Sequence, residues 1–497
     1  MACALRLGLT GYELTAPMTA EYVAFHAAAR PNAVAFIING REISYGKFAR
    51  DIQKVTWALR EFELPRGAKV AIGLGDKIYF RWLLRLAFER LCVVTFDRLE
   101  NLTSPGFVGD FDLVLTQQKI DAEIVKRQFQ ITPEWLNALL AGPDRNEQPL
   151  PIQGPDDPVR VLFTSGTTGT PKKLLYSRRV HEGSVRAMMW FGNFTRESRH
   201  MDMSGVVAPP TACIRAGGTL VFDNQMMVPE VIASRFITHI SLSPIKLRQL
   251  LDILPNVFAK PAAMKILSSG AALSRGLRRQ ADVRLATEVR DTYGSNEAGY
   301  VSSISDDTEW GAVWPGVQIE IVDERHKPIP FGEVGQIRVK TDRMVQGYLD
   351  DPEATGRIFK DGWFYARDLG ILQSSHRLQV IGRSDDVLNI SGHKISPHEV
   401  EDWLIKFLDV GDAGVCSIHN ADGIEEIVIV VSGARAGEQE LLERIEPALN
   451  GLPVGKINIL KVDRIPRNAN GKIQRNLLKD AAAANSVRRH LFQRTLA

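Results

Sequence analysis

Val161–Leu175 reads VLFTSGTTGTPKKLL. Apolar residues run to Phe163 as they do in a buried strand, and the small residues Thr164, Ser165, Gly166, Thr167, Thr168 and Gly169 then form a loop. Pro171, Lys172 and Lys173 close it. Small residues let backbone N–H groups and hydroxyls close around phosphate oxygens, and lysines can neutralise their charge. The segment is not a Walker A loop: Pro171 stands where GxxxxGK[ST] needs its second glycine. Taken alone, this composition suits a flexible turn as well as a phosphate cradle.

Outward from this loop, strand-like apolar runs alternate with amphipathic stretches, which argues for α/β layers. Ser44–Glu61 carries Phe48, Ile52, Val55 and Leu59 at helical spacing, with Ser44 available as a cap. Lys69–Leu74 reads as a strand and Ile78–Phe88 as a helix. Asp112–Thr116, Gly218–Phe222 and Met264–Ser268 read as further strands. Asp144–Pro158, polar and proline-rich, reads as a surface connection. After about residue 310 short β-rich runs take over (Val317–Val322, Val334–Thr341, Leu378–Ile381), suggesting a β-rich subdomain. Near Gly382 an α+β tail begins, with helices expected over Pro397–Phe407 and Glu438–Leu449 and a strand over Glu425–Val431. The expected organisation is a large domain, 1–381, and a small mobile lid, 382–497.

Composition narrows the function classes. Hydrophobic residues are 44% and charged residues 24%, as in globular chains and unlike disordered ones. A net charge of +3 over 497 residues gives no sign of a nucleic-acid or membrane-surface partner. Cys3, Cys92, Cys213 and Cys416 form no CxxC pair, so neither a disulfide framework nor a zinc site is expected. No run of eighteen apolar residues occurs and the N-terminus lacks a signal-peptide core, so a cytoplasmic protein is expected.

Five further segments follow the loop: GAALS (Gly270–Ser274), YGSNE (Tyr293–Glu297), GWFYARDLG (Gly362–Gly370), GRSDDVLNISGHKISPHEVE (Gly382–Glu401) and PRNANGKIQR (Pro466–Arg475). In that order they resemble the motifs of the acyl-adenylate-forming superfamily, and VLFTSGTTGTPKKLL resembles its signature loop. The likeness spans nearly the whole chain and is strongest to the acyl-CoA synthetase branch.

The resemblance implies a role for each matching position. Thr164 to Gly169 and Lys172 would cradle phosphate, with Gly270, Ala271 and Ala272 lining the nucleotide site. Tyr293 would flank adenine beside Gly294 and Ser295, and Glu297 would bind Mg²⁺, which takes one or two carboxylates plus phosphate oxygens. Asn296 stands where the family usually has a threonine on the AMP phosphate, and its amide can still donate. Asp368 would accept the ribose hydroxyls, with Arg383 also contacting the ribose. Asp385 falls at the hinge, Ser391 and Gly392 would meet coenzyme A, and Lys472 matches the catalytic lysine.

The implied activity is ATP-dependent activation of a carboxylic acid as acyl-AMP, followed by transfer to coenzyme A. A fatty or aryl acid is expected rather than an amino acid, because the aspartate that holds the amine in the family's amino-acid enzymes is not assigned from the sequence. The alternatives are loading of a carrier protein in trans and an inactive nucleotide-binding paralogue. A lysine-acylating regulator acting on Lys472 is a further implied partner. Lys173 in place of a glycine, Arg367 in place of a glycine and the weakly matched segment Trp190–Gly218 depart from the pattern.

Overall fold

The computed structural model describes residues 18–74, 78–97, 111–117, 127–146, 154–164, 172–224, 229–384, 388–390, 393–395, 397–419, 425–449, 457–467 and 473–482. Ser44 caps the helix Tyr45–Arg60 by accepting from the Lys47 N–H at 3.2 Å. Phe48, Ile52, Val55 and Leu59 are all at most 3% exposed and join the core that also holds Leu83, Leu86 and Phe88 of the helix Ile78–Arg90. Each such side chain contributes about 1.5–3 kcal/mol by leaving water. The helical spacing read from the sequence is therefore the buried stripe.

Two sheets organise the chain up to Arg383. The smaller runs Tyr348–Leu349, Lys172–Ser177, Pro158–Thr164, Val94–Asp97, Lys69–Gly73, Leu113–Thr116 and Gln128–Gln130. Its last five strands are parallel, and Lys172–Ser177 returns antiparallel to Pro158–Thr164. The larger sheet has a parallel half: Val34–Ile38, Thr219–Phe222, Arg199–Asp202, His239–Leu242, Lys265–Ser268 and Glu288–Ser295. From Gly299 onward it is antiparallel, through Gly299–Ile304, Gly311–Val313, Arg377–Arg383, Trp363–Ser374, Gly335–Thr341 and Val317–Val322.

The β-rich region expected after residue 310 is thus hydrogen-bonded into the large sheet through Gly311–Val313. It still encloses a cluster of its own, with Ile321, Ile337, Val339, Phe364 and Leu378 at its centre. Among the described residues after Arg383, the buried clusters draw on residues from Val400 onward. There the strands Asp412–His419, Glu425–Ser432 and Ile457–Lys461 form a sheet, and the helices Pro397–Leu408 and Glu438–Leu449 supply residues to the same core. No helix among the described residues is long and apolar enough to cross a membrane.

Candidate functional site

The site begins where parallel strands of the large sheet end. Lys265–Ser268 and Glu288–Ser295 are neighbours, with Ser268 beside Asp291. Thr292 Oγ1 donates to the Ser268 carbonyl at 2.7 Å, and the Leu273 N–H donates to Asp291 Oδ2 at 3.1 Å. These bonds hold the Gly270–Ala272 loop against the strand that carries Tyr293. Carboxyl ends of parallel strands are where open α/β sheets receive ligands.

Past Ser295 the chain turns through Asn296–Ala298 into the strand Gly299–Ile304. The turn is tight at Gly294: a Cβ there would lie 2.3 Å from the Gly299 carbonyl oxygen, so no other residue fits without backbone movement. Two tyrosines from the smaller sheet grip the hairpin. Tyr176 OH donates to the Asn296 carbonyl at 2.5 Å, and Tyr348 OH donates to Glu297 Oε1 at 2.9 Å. Burial, then the nearby Glu297 charge, pushes both phenols above their usual range, so both stay protonated donors. Lys172 Nζ lies 4.5 Å from the centre of the Tyr348 ring, which places the loop's closing lysine beside the Glu297 pair.

A second cluster forms from the antiparallel half. Asp368 and Arg383 face each other across adjacent strands, with Oδ1 and Nη1 3.9 Å apart. Tyr293 OH donates to the other Asp368 oxygen at 2.7 Å. Burial and then the Asp368 charge raise the Tyr293 phenol far above its usual value, fixing it as a donor. Two residues from different strands, Tyr293 and Arg383, thus converge on the Asp368 carboxylate. Arg367 adopts φ +56°, left-handed backbone that accounts for a glycine preference at this position. Its carbonyl accepts from the Ser384 N–H at 2.9 Å and from Ser384 Oγ at 3.1 Å, which pins the chain just before Asp385.

The structure therefore brings together Lys172, Tyr293, Gly294, Ser295, Asn296 and Glu297, with Asp368 and Arg383 reaching the same hairpin through Tyr293. Thr164 ends the strand that leads into the loop, and its side chain is outside the described residues. So are Ser165, Gly166, Thr167, Thr168, Gly169, Asp385, Ser391, Gly392 and Lys472. Lys173 pairs with Asp350 at 3.2 Å, which explains how this position carries a charge. The Asn296 side chain is exposed.

Tyr176, Tyr348 and Asp202 were not legible as site residues. The tyrosines lie in ordinary strand patterns, and only the meeting of two sheets assigns them. Asp202 ends the strand Arg199–Asp202 and accepts from the Ser204 N–H (3.1 Å) and Ser204 Oγ (2.7 Å). Burial pushes its carboxyl up to about 6 although the Ser204 hydrogen bonds oppose it. The D-x-S spacing after a strand was the available signal.

Among the described residues no group of three or more His, Cys, Asp or Glu could hold a metal. Glu297 has one oxygen engaged by Tyr348 and the other unaccounted for by that bond. A hard cation there would take its remaining ligands from water and phosphate, the habit of Mg²⁺, so Glu297 fits that ion.

A family model described as AMP-binding enzyme matches residues 99–349. The chain is 25% identical over 510 aligned residues to the fatty acid–[acyl-carrier-protein] ligase ScoC of Streptomyces coeruleorubidus, covering 94% of this chain and 97% of that one. It is 25% identical to the medium-chain fatty-acid–CoA ligase of Escherichia coli, over 65% of this chain and 61% of that one. For two further relatives the chain spans 65% of their length. The fold matches ATP-bound MatB from Rhodopseudomonas palustris with a TM-score of 0.81 at 24% identity, over 93% of this chain and 99% of that one. With the family model covering half of the chain, the chain belongs to the AMP-binding, acyl-adenylate-forming enzymes.

Proposed function

We propose that the protein activates a carboxylic acid with ATP, as acyl-AMP and pyrophosphate, and transfers the acyl group to coenzyme A. The observation that carries this reading is the convergence of Tyr293 and Arg383 on Asp368, one hairpin turn from Glu297. An ionised carboxylate oriented by a tyrosine suits a ribose diol, and a half-exposed glutamate suits Mg²⁺ beside a triphosphate. The acid's carboxylate attacks the α-phosphorus while the chain holds the reactants in line and neutralises charge. Lys172, beside Tyr348 and Glu297, would meet phosphate oxygens, and Lys472 would bridge acid and α-phosphate as charge moves. The chain then divides near residue 382, and the part beyond it rotates about Asp385 so that the thiol can reach the acyl carbonyl.

The acid is a fatty or aryl acid on this reading. Asp202 favours a second one, an acid bearing an amine, because a half-buried carboxyl at a strand end, whose charge reaches Tyr300 of the hairpin, is an available counter-charge. Transfer to a carrier protein is the competing acceptor, supported by the carrier-protein ligase as a near full-length relative. Pyrophosphate exchange across short, medium and long-chain, aryl and amino acids tests activation. Exchange with none of them, while ATP still binds, means an inactive paralogue. Adding coenzyme A or a purified carrier protein to the active acid separates the acceptors.

Lys472 gives a step-specific expectation. Lys472→Ala should lower acyl-AMP formation about 10²–10³-fold while supplied acyl-AMP and coenzyme A still give thioester. Acylation of Lys472 should act likewise, by removing its charge. Equal losses in the two half-reactions, assayed separately, would refute the assignment.

A further inference from the structure

The helix Arg178–Phe191 forms one wall of an open cleft of about 570 Å³, and Pro315, Asp342 and Arg343 line its other side. The wall is aromatic. Trp190 is 74% exposed and meets Phe191 edge-on, Phe191 stacks on Trp314 with ring centres 4.1 Å apart, and Trp314 stacks on Tyr300 at 5.0 Å. Phe191 is thus backed by two stacked rings, and it and the exposed Trp190 offer apolar ring surface to a planar body.

At the bottom of the cleft lies Arg343, only 6% exposed. Its stem passes between two glycines: a Cβ on Gly183 would be 3.0 Å from Arg343 Cγ, and one on Gly299 would be 3.4 Å from Arg343 Cβ. Larger residues at either place would crowd the arginine. Among the described residues the guanidinium donates only to the Pro315 carbonyl, through Nη1 and Nη2 at 3.4 Å each, and its Nε has no partner. Asp342 attracts it without a hydrogen bond, Arg186 repels it, and burial, the largest effect, lowers its pKa. Five donors in a buried site with one long-range acceptor form an incomplete arrangement, since buried charge is retained at high cost unless something pairs with it. Helix and glycines together make room for a cation that the chain leaves short of an anion.

We propose that this cleft binds a planar organic carboxylate, its body against Trp190 and Phe191 and its carboxylate on Arg343 and Arg186. That carboxylate has two possible sources: a second acidic group on the acid being activated, or a separate ligand. Gly299 is two residues from Glu297, so either occupant would sit against the hairpin that carries the candidate metal-binding carboxylate.

Titrating the full chain with phenylacetate and with its uncharged amide, followed by tryptophan fluorescence, tests the site. The acid should bind about tenfold or more tightly than the amide, because an arginine–carboxylate pair is formed only by the acid. Arg186→Gln, at an exposed position, and Arg343→Met should each remove that preference. Arg343→Met should also keep or raise the melting temperature, whereas an arginine serving only the fold would lower it. Equal binding of acid and amide, or an acid preference that survives in both variants, overturns the proposal. A second measurement, which rests on the adenylating reading, compares pyrophosphate exchange with phenylacetate and with phenylenediacetate. A KM raised about tenfold by Arg343→Met for the diacid alone assigns the carboxylate to the substrate. Unaltered KM values with the fluorescence preference intact assign it to a separate ligand. Absence of any exchange would count against the adenylating reading and leave the fluorescence result standing.

Discussion

Glu297 and Tyr348 divide one task between a charge and the group that aims it. Glu297→Gln keeps an acceptor for Tyr348 OH but loses the charge that a divalent cation needs. Pyrophosphate exchange at low Mg²⁺ should fall by about tenfold or more, and saturating Mg²⁺ should not restore it fully. Tyr348→Phe keeps the ring beside Lys172 and removes one hydrogen bond to a carboxylate, an interaction of about 1.5–3 kcal/mol. Its half-saturating Mg²⁺ concentration should rise, with the rate recovering at saturation. Wild-type Mg²⁺ dependence in both variants would remove Glu297 from the ion. The resemblance to a family's motifs, not residue type alone, gave Glu297, Tyr293 and Asp368 their expected roles, and nothing in the local pattern around Tyr348 distinguishes it from a strand tyrosine.

At the scale of elements, the N-terminus of the helix Thr19–Ala29 is tied to two others by buried charge. Glu89, near the end of the helix Ile78–Arg90, accepts from the Thr19 N–H at 2.8 Å. Arg215 of the helix Ala208–Arg215 pairs with Glu182 and donates to Thr19 Oγ1 at 2.7 Å. Burial would raise the Glu182 carboxyl, but Arg215 over-compensates and holds it below its usual value. Glu89 is the opposite case: burial dominates and pushes it up from 4.5 to about 7. A carboxyl whose folded pKa is raised binds more protons folded than unfolded between those values, so its contribution falls as pH rises through that window. Glu89→Gln, which mimics the protonated form, should match wild type in stability near pH 4.5 and gain on it as pH approaches 7. Urea midpoints measured across that range check this, and a gain confined to acid pH would reverse the assignment. None of these pairings was legible from sequence, because the partners are far apart along the chain and meet only when four helices pack.

For the whole molecule, the proposed hinge at Asp385 lies between the clusters that end before residue 384 and those that begin at Val400. Proline fixes φ near about −65° and removes an N–H, so Asp385→Pro should leave pyrophosphate exchange intact and abolish thioester formation. Equal loss of both half-reactions would make Asp385 a merely structural residue. The order of motifs and the alternating elements were determined by sequence, because periodicity and residue type act locally. Ser44 caps its expected helix, and Asp368 and Arg383 stand at their motif positions. Tertiary structure alone decided that the β-rich region continues the large sheet, that Tyr176 and Tyr348 cross from the smaller sheet to grip the Glu297 hairpin, and that Arg343 lies buried between Gly183 and Gly299. Those relations depend on which strands pair and which faces meet, and long-range pairing leaves no period in the chain from which to read it.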